Sequence, residues 1–172
     1  YYYQRNQDHL KAAEQFKKGI DVDPMNEECL IRYAESLDMA DLKDEAIEAY
    51  KTAFKSIPNE KAIPFNLGLL IFKQSNAIED DEAKKKEKME EAIFYFEKAK
   101  EIDPNIKEVY DLLGTLLLQL EQYEKAKTIL EEGVERFPES STVWQNLRFL
   151  YAKLGDKDRA EEAFEKSKQL QE

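Results

Sequence analysis

The sequence predicts an all-α fold built from repeated helix pairs, and three observations lead to this prediction. A pattern of small and bulky residues recurs along the chain with a basic period of 34 residues. A proline follows each of the first four copies at the same distance. Charged residues make up 37% of the chain and hydrophobic residues 42%, with only five glycines and five prolines, which is typical of a helix-rich protein.

The repeated pattern becomes visible when the copies are aligned on one alanine. The aligned alanines are Ala12, Ala46, Ala92, Ala126 and Ala160. A bulky residue follows each of them four positions later, and these residues are Phe16, Tyr50, Phe96, Leu130 and Phe164. A further small residue comes three positions after that. These positions share one helical face, so we expect a neighbouring helix to approach the small residues while the bulky one fills the space between helices.

Prolines and a second set of amphipathic stretches divide the chain into helix pairs. The prolines are Pro24, Pro58, Pro104 and Pro138. Because proline lacks an N–H and restricts the residue before it, each is predicted to end a helix. The amphipathic stretches predict further helices over 27–41, 61–74, 107–121 and 141–154. We therefore expect one array over 1–172, with a partial repeat at 1–26 and full repeats at 27–58, 59–104, 105–138 and 139–172.

The combined pattern resembles that of the tetratricopeptide repeat (TPR) family, which is W-x2-L-G-x2-Y, then A-x3-F, then P. The matching stretches are Leu30-x2-Tyr33-Ala34-x2-Leu37, Pro64-x2-Leu67-Gly68-x2-Ile71, Tyr110-x2-Leu113-Gly114-x2-Leu117 and Trp144-x2-Leu147-Arg148-x2-Tyr151. The resemblance covers nearly the whole chain. It implies a right-handed superhelical solenoid of TPR helix-turn-helix repeats. Two residues depart from the pattern: Pro64 is expected to shift the start of its helix, and Arg148 to loosen the packing of the last repeat.

The resemblance also implies a peptide-binding groove, because the first helix of each pair lines the concave face in this family. The implied lining residues are Arg32, Glu35, Phe65, Asn66, Leu69, Phe72, Lys73, Thr115, Gln119, Gln145, Asn146, Phe149 and Lys153. Asp38 and Leu118 are also expected to face the groove. Its apolar members favour an apolar or amphipathic segment of a partner. Alternatively, the curvature of the array covers several of them.

A 12-residue insertion separates the second and third alanines, which are 46 residues apart. Either Asp80 or Asp81 is predicted to cap a helix there, with lysines following the acidic residues. We expect the insertion to lengthen the following helix by about three turns. The extension is either a solvated surface or a docking site for a partner.

The composition argues against several classes of function. A net charge of −11 disfavours binding to a nucleic-acid backbone, which requires lysine and arginine to replace counterions. The apolar runs are too short for membrane insertion by this segment. His9 and Cys29 are the only residues of their kinds, and no zinc motif or phosphate-binding glycine loop is present. We therefore expect no catalytic residues, no metal and no cofactor.

These observations predict a non-catalytic protein-interaction module that binds a peptide or helix of a protein partner in its groove. The alternative is a structural scaffold in a larger multidomain protein, self-associating through exposed repeat ends. The chain begins without a methionine, so we expect further repeats upstream. A single cysteine slightly favours the cytoplasm, and an upstream export signal is left open.

Overall fold

The computed structural model describes the backbone of residues 2–171 and the side chains of residues 6–171, and within that range it contains nine α-helices and no strands. The helices are α1 (Tyr2–Val22), α2 (Glu27–Met39), α3 (Lys43–Ser56), α4 (Ala62–Asn76), α5 (Glu82–Ile102), α6 (Lys107–Gln119), α7 (Tyr123–Arg136), α8 (Ser141–Leu154) and α9 (Lys157–Gln169). They form two compact units, a first unit of Tyr1–Lys98 and a second unit of Ala99–Glu172. The predicted all-α class is confirmed.

Proline positions fix the ends of four helices, as predicted. The last residues of α1, α3, α5 and α7 each lie two positions before a proline. In two of these turns an aspartate also binds the backbone. The Asp23 carboxylate accepts a hydrogen bond from the N–H of Met25 at 3.1 Å, and the Asp103 carboxylate accepts one from the N–H of Asn105 at 2.9 Å. These two turns therefore combine a proline, which ends the helix, with an aspartate side chain that stabilises the reversal of the chain.

A residue in the left-handed backbone conformation follows each of α2, α6 and α8, and the sequence pattern did not predict these residues. Asp41 has a φ of 62°, Glu121 a φ of 56° and Gly155 a φ of 77°. All three occupy the same place in the turn that follows the helix, where a positive φ lets the chain reverse. Glycine adopts this conformation freely, whereas for Asp41 and Glu121 it costs about 1 kcal/mol or more.

The first unit is built by successive packing of α1 on α2, α2 on α3, and α3 on α4. Its core contains Ala34, Ala46 and Tyr50, which are almost completely buried. The ring of Phe96 on α5 is 0% exposed and lies against Gly68 of α4. A Cβ at Gly68 would come within 2.8 Å of the ring, so only glycine allows this approach.

The second unit repeats the same arrangement with different side chains. α6 packs on α7 and α8, α7 packs on α8, and α8 packs on α9. Tyr110, Leu113 and Leu130 are fully buried in its core. Leu130 occupies the place against Gly114 that Phe96 occupies against Gly68. The small residue on one helix and the bulky residue on the next are therefore matched in both units.

Arg148 fills the equivalent small-residue position between α8 and α9. Its guanidinium carbon lies 4.3 Å from the centre of the Phe164 ring, within the range of a cation–π interaction. Phe164 is only partly buried, unlike Phe96 and Leu130. The looser packing predicted for this repeat is present at Phe164. At Gly68 and Gly114 the absence of a side chain allows close contact with the bulky residue, whereas here the Arg148 guanidinium covers part of the ring instead.

Pro64 shifts the start of α4 by one residue. α4 begins two positions before Pro64, whereas α6 and α8 begin three positions before Tyr110 and Trp144. The shift is small because Pro64 lies in the first helical turn. An N–H there has no partner within the helix, so its absence costs little.

The insertion lengthens α5 by about two turns, rather than the three predicted. α5 begins ten residues before Ala92, whereas α3 and α7 begin three residues before their aligned alanines. The Asp81 carboxylate accepts a hydrogen bond from the N–H of Lys84 at 2.9 Å and so sets the start of the helix. Of the other five inserted residues, three lengthen the C-terminal end of α4 and two lengthen the connection from 77 to 81, which is why the extension of α5 is shorter.

Candidate functional site

A cleft in the first unit brings together five of the predicted groove residues. It has a volume of about 250 Å³ and lies between α2, α3 and α4; we call it the α2–α4 cleft. Its lining is Glu35, Asp38, Met39, Tyr50, Asn66, Leu69, Leu70 and Lys73. The predicted residues among these are Glu35, Asp38, Asn66, Leu69 and Lys73. Tyr50 was missed because the sequence pattern assigned it only a packing role.

Helical spacing positions the side chains of this cleft. Glu35 and Asp38 lie three residues apart on α2 and share one face. Asn66 and Lys73 lie seven residues apart on α4, with Leu69 between them on the same face. Tyr50 reaches the cleft from α3 and is only 3% exposed. The cleft therefore has one acidic wall, one mixed wall and a phenol group at its base.

The base of the cleft has a negative electrostatic environment. Burial raises the pKa of the Tyr50 hydroxyl well above its usual value, and the charges of Glu35 and Asp38 raise it further. A hydrogen bond from Asn66 lowers the pKa, but does not outweigh these effects. The hydroxyl therefore stays protonated at neutral pH and remains available as a hydrogen-bonding group.

Two exposed cations already contact the acidic wall. A guanidinium nitrogen of Arg32 lies 2.9 Å from Glu35, and the ammonium group of Lys43 lies 3.8 Å from Asp38. Lys43 is closer to Asp41, at 3.0 Å. Such exposed pairs contribute little to stability, about 1 kcal/mol at most. The carboxylates can therefore exchange these partners for another cation.

The predicted apolar residues of the first unit are half-buried. The ring centre of Phe65 lies 6.1 Å from that of Phe96, and the two rings are tilted by 59°. Phe65 is therefore anchored by packing on α5 and presents only part of its surface. Leu69 and Phe72 are also half-buried.

In the second unit, α6 and α8 present the remaining predicted residues. We call this surface the α6–α8 face, and its members are Thr115, Gln119, Gln145, Asn146, Phe149 and Lys153. The amide of Asn146 donates to the Thr115 hydroxyl at 3.2 Å and approaches the Asp111 carbonyl at 3.4 Å. Its N–H groups thus join α8 to α6. Asn146 and Thr115 are structural at least in part, which the sequence alone did not reveal.

Phe149 is the most prominent apolar residue of the α6–α8 face. Its side chain is 49% exposed, and the Lys153 ammonium group lies 5.3 Å from its ring centre. Gln145, one helical turn before Phe149 on α8, and Gln119 at the end of α6 are also exposed. Leu118, in contrast, is only 7% exposed, so its expected place in the groove was wrong. Leu118 is buried because α6 packs on both α7 and α8, and two neighbouring helices cover more of the surface of α6 than one would.

A charged network in the second unit supports the core beneath these helices. The Lys100 ammonium group lies 2.7 Å from one carboxylate oxygen of Glu132. The other carboxylate oxygen lies 3.0 Å from the Tyr110 hydroxyl and 3.2 Å from the Arg136 side chain. Burial raises the pKa of Tyr110 to about 12, and its hydrogen bond to Glu132 contributes to that rise. The network is partly buried, so its loss is expected to affect stability.

Glu132→Gln is expected to lower the free energy of unfolding at neutral pH by about 1–2 kcal/mol. Burial alone would raise the pKa of Glu132, but hydrogen bonds from Lys100 and Tyr110 outweigh it and lower the pKa. A lowered folded-state pKa stabilises the fold above the unfolded-state value, and this contribution disappears as the pH falls through the folded-state value. Urea unfolding of both proteins from neutral to acidic pH will measure the difference.

The matched control for this prediction is Glu135→Gln, an exposed residue on the same helix. It should change the free energy of unfolding at neutral pH by less than about 0.5 kcal/mol, because substitutions at exposed positions have small effects. The difference between Glu132→Gln and wild type should shrink as the pH falls below the usual glutamate pKa and through the lowered folded-state pKa, since both proteins then carry a neutral side chain at this position. A pH-independent difference would show that the charge of Glu132 contributes nothing.

The described residues contain no group of three or more histidine, cysteine, aspartate or glutamate side chains that could hold a metal ion. Among the same residues, no helix is both long enough and apolar enough to cross a membrane.

Two family models match the chain, and both describe the tetratricopeptide repeat. One matches residues 83–148 and the other residues 142–172. The chain belongs to the tetratricopeptide repeat family, as the residue pattern predicted. Membership of this family supports a role as a protein-interaction module.

Solved structures of TPR proteins have the same fold. A crystal structure of MamA has a TM-score of 0.79 at 21% identity, covering 96% of this chain and 90% of MamA. MamA from Desulfovibrio magneticus RS-1 has a TM-score of 0.74 at 20% identity, covering 99% and 93%. YrrB, described as a TPR protein with an unusual peptide-binding site, has a TM-score of 0.76 at 17% identity, covering 96% and 79%. No curated protein matches the chain. These likenesses support the predicted TPR solenoid fold.

Proposed function

We propose that this chain is a non-catalytic module that binds an apolar or amphipathic segment of a protein partner. The binding surfaces are the α2–α4 cleft and the α6–α8 face, each within its own unit. The observation that carries the proposal is Phe149, a large apolar side chain that is 49% exposed among polar neighbours on a helix of the predicted groove. Exposed aromatic residues of this kind act as anchors in protein interfaces.

Phe149→Ala is expected to weaken binding about tenfold, because an aromatic anchor contributes much of the energy of an interface. The measurement is the retention of a displayed library of random peptides on the immobilised chain, followed by the affinity of the enriched sequences. The fold should be unchanged, since an exposed side chain contributes little to the core.

Phe94→Ala is the matched control, because the chain offers a second phenylalanine in almost the same setting. Phe94 on α5 is 48% exposed, and the Lys98 ammonium group lies 5.8 Å from its ring centre. Binding that is lost with Phe149→Ala and kept with Phe94→Ala supports the α6–α8 face. Equal effects of the two substitutions, or no enriched peptide at all, would contradict the proposal.

Self-association is the second candidate function, and the surroundings of Phe94 favour it. Its ring packs edge-on against Tyr95 at 5.1 Å, and Tyr95 packs edge-on against Phe54 of α3 at 5.8 Å. This partly exposed aromatic cluster could meet a second copy of the chain. Solution mass measured against concentration distinguishes the two candidates. A mass that rises with concentration in the wild type, and not in Phe94→Ala, would favour self-association.

A further inference from the structure

We infer that the α2–α4 cleft takes the side chain of a lysine or arginine from the bound partner segment. The inference rests on the proposed function, because it states what kind of segment the first unit selects. It adds a positive charge to a segment that was otherwise expected to be apolar or amphipathic.

The size of the cleft suits one long side chain. Pockets for drug-sized ligands have volumes of roughly 300–1,000 Å³. The α2–α4 cleft, at about 250 Å³, lies just below that range. Met39 and Leu69 supply apolar surface on opposite walls. The methylene groups of lysine or arginine can lie along such surface while the charged end reaches polar groups.

The polar groups of the cleft are mainly acceptors for a cation. Glu35 and Asp38 supply two carboxylates from α2, and the oxygens of Tyr50 and Asn66 supply neutral acceptors. An ammonium group has three hydrogen-bond donors and a guanidinium group has five, so either can use several of these acceptors at once. Charge-assisted bonds of this kind are the stronger class of hydrogen bond.

The cations already present leave room for another. Lys73 lines the cleft from α4, Arg32 pairs with Glu35, and Lys43 lies near Asp38. Arg32 is 56% exposed in its side chain, and its pair with Glu35 is open to solvent. At the buried base, however, the charges that act on the Tyr50 hydroxyl are those of Glu35 and Asp38. A cation inserted to that depth would therefore meet an attractive field, and a carboxylate would be repelled.

The charge of the whole chain acts in the same direction. A net charge of −11 attracts positively charged segments over long distances and speeds their encounter. That attraction does not select a site. The test must therefore separate the cleft from the general charge of the protein.

The experiment uses two pools of short random peptides that differ only in the central residue, lysine in one and methionine in the other. Retention of each pool is measured on the immobilised chain at physiological ionic strength. The variants are Glu35→Gln/Asp38→Asn, which neutralises the acidic wall, and Glu79→Gln/Asp80→Asn, which removes the same charge from exposed residues before α5. Circular dichroism confirms that both variants are folded.

We expect the wild type and the Glu79→Gln/Asp80→Asn control to retain about tenfold more of the lysine pool, and the cleft variant to retain both pools equally. Equal retention of both pools by the wild type would overturn the inference and leave the proposed function standing. A lysine preference that survives in the cleft variant would also overturn it, since the preference would then come from net charge. Retention of neither pool would contradict the proposed function as well.

Discussion

Phe96→Ala is expected to destabilise the protein by about 3–5 kcal/mol, the largest effect of any single substitution considered. The ring is 0% exposed and lies directly against the backbone of α4 at Gly68. Truncation removes the transfer energy of a buried ring and leaves a cavity between two helices. Because α4 carries Asn66 and Lys73, the loss also removes support from the α2–α4 cleft.

Urea unfolding monitored by circular dichroism measures this effect. Because each repeat of a repeat protein contacts only its neighbours, the transition that reports unfolding of α4 and α5 should shift to lower urea, and any other transition should shift less. Phe94→Ala is the control, since that ring is on the same helix but 48% exposed. A loss from Phe96→Ala no larger than that from Phe94→Ala would mean that the ring is not part of the core.

Gly114→Val is expected to destabilise the second unit by about 2–3 kcal/mol. A Cβ at this position would lie 3.0 Å from Cγ of Leu130 and closer still to one of its methyl groups. Leu130 is fully buried, so it cannot move away into solvent without leaving the core. Valine has a better helix propensity than glycine by a few tenths of a kcal/mol, but overpacking exceeds that gain.

The control for Gly114→Val is Ala152→Val, which adds branched bulk to an exposed position of α8. It should cost only the small difference in helix propensity between alanine and valine. Thermal and urea unfolding of the two variants should therefore separate clearly. If the two costs are equal, Leu130 adjusts more easily than its burial indicates.

The fold could be predicted from sequence wherever one residue type has one physical effect. Proline cannot continue a helix, so Pro24, Pro58 and Pro104 located helix ends correctly. The residues of the left-handed turns could not be predicted in this way. Asp41 and Glu121 adopt a conformation that favours glycine, because the packing of the helices on either side imposes the turn.

For the candidate site, the sequence indicated which residues share a helical face better than it indicated whether each side chain is exposed, buried or hydrogen-bonded. The spacing on α4 placed Asn66, Leu69 and Lys73 on one helical face, and all three line the α2–α4 cleft. It did not reveal that Asn146 bonds to α6, or that Leu118 is buried. Both depend on how closely neighbouring helices approach, and that distance is set by long-range packing rather than by local sequence.

The pairing of a small residue with a bulky one has a consequence for chimeric proteins made from this chain. The positions of Phe96 and Leu130 require a glycine opposite each of them, at Gly68 and Gly114, whereas Arg148 stacks on the partly exposed Phe164. In a recombinant in which a helix of the α5 or α7 type follows α8, the Arg148 guanidinium would occupy the space that the bulky residue of that helix fills against a glycine. The smallest segment that can be duplicated or exchanged is therefore a complete helix pair, with crossover points in the proline turns.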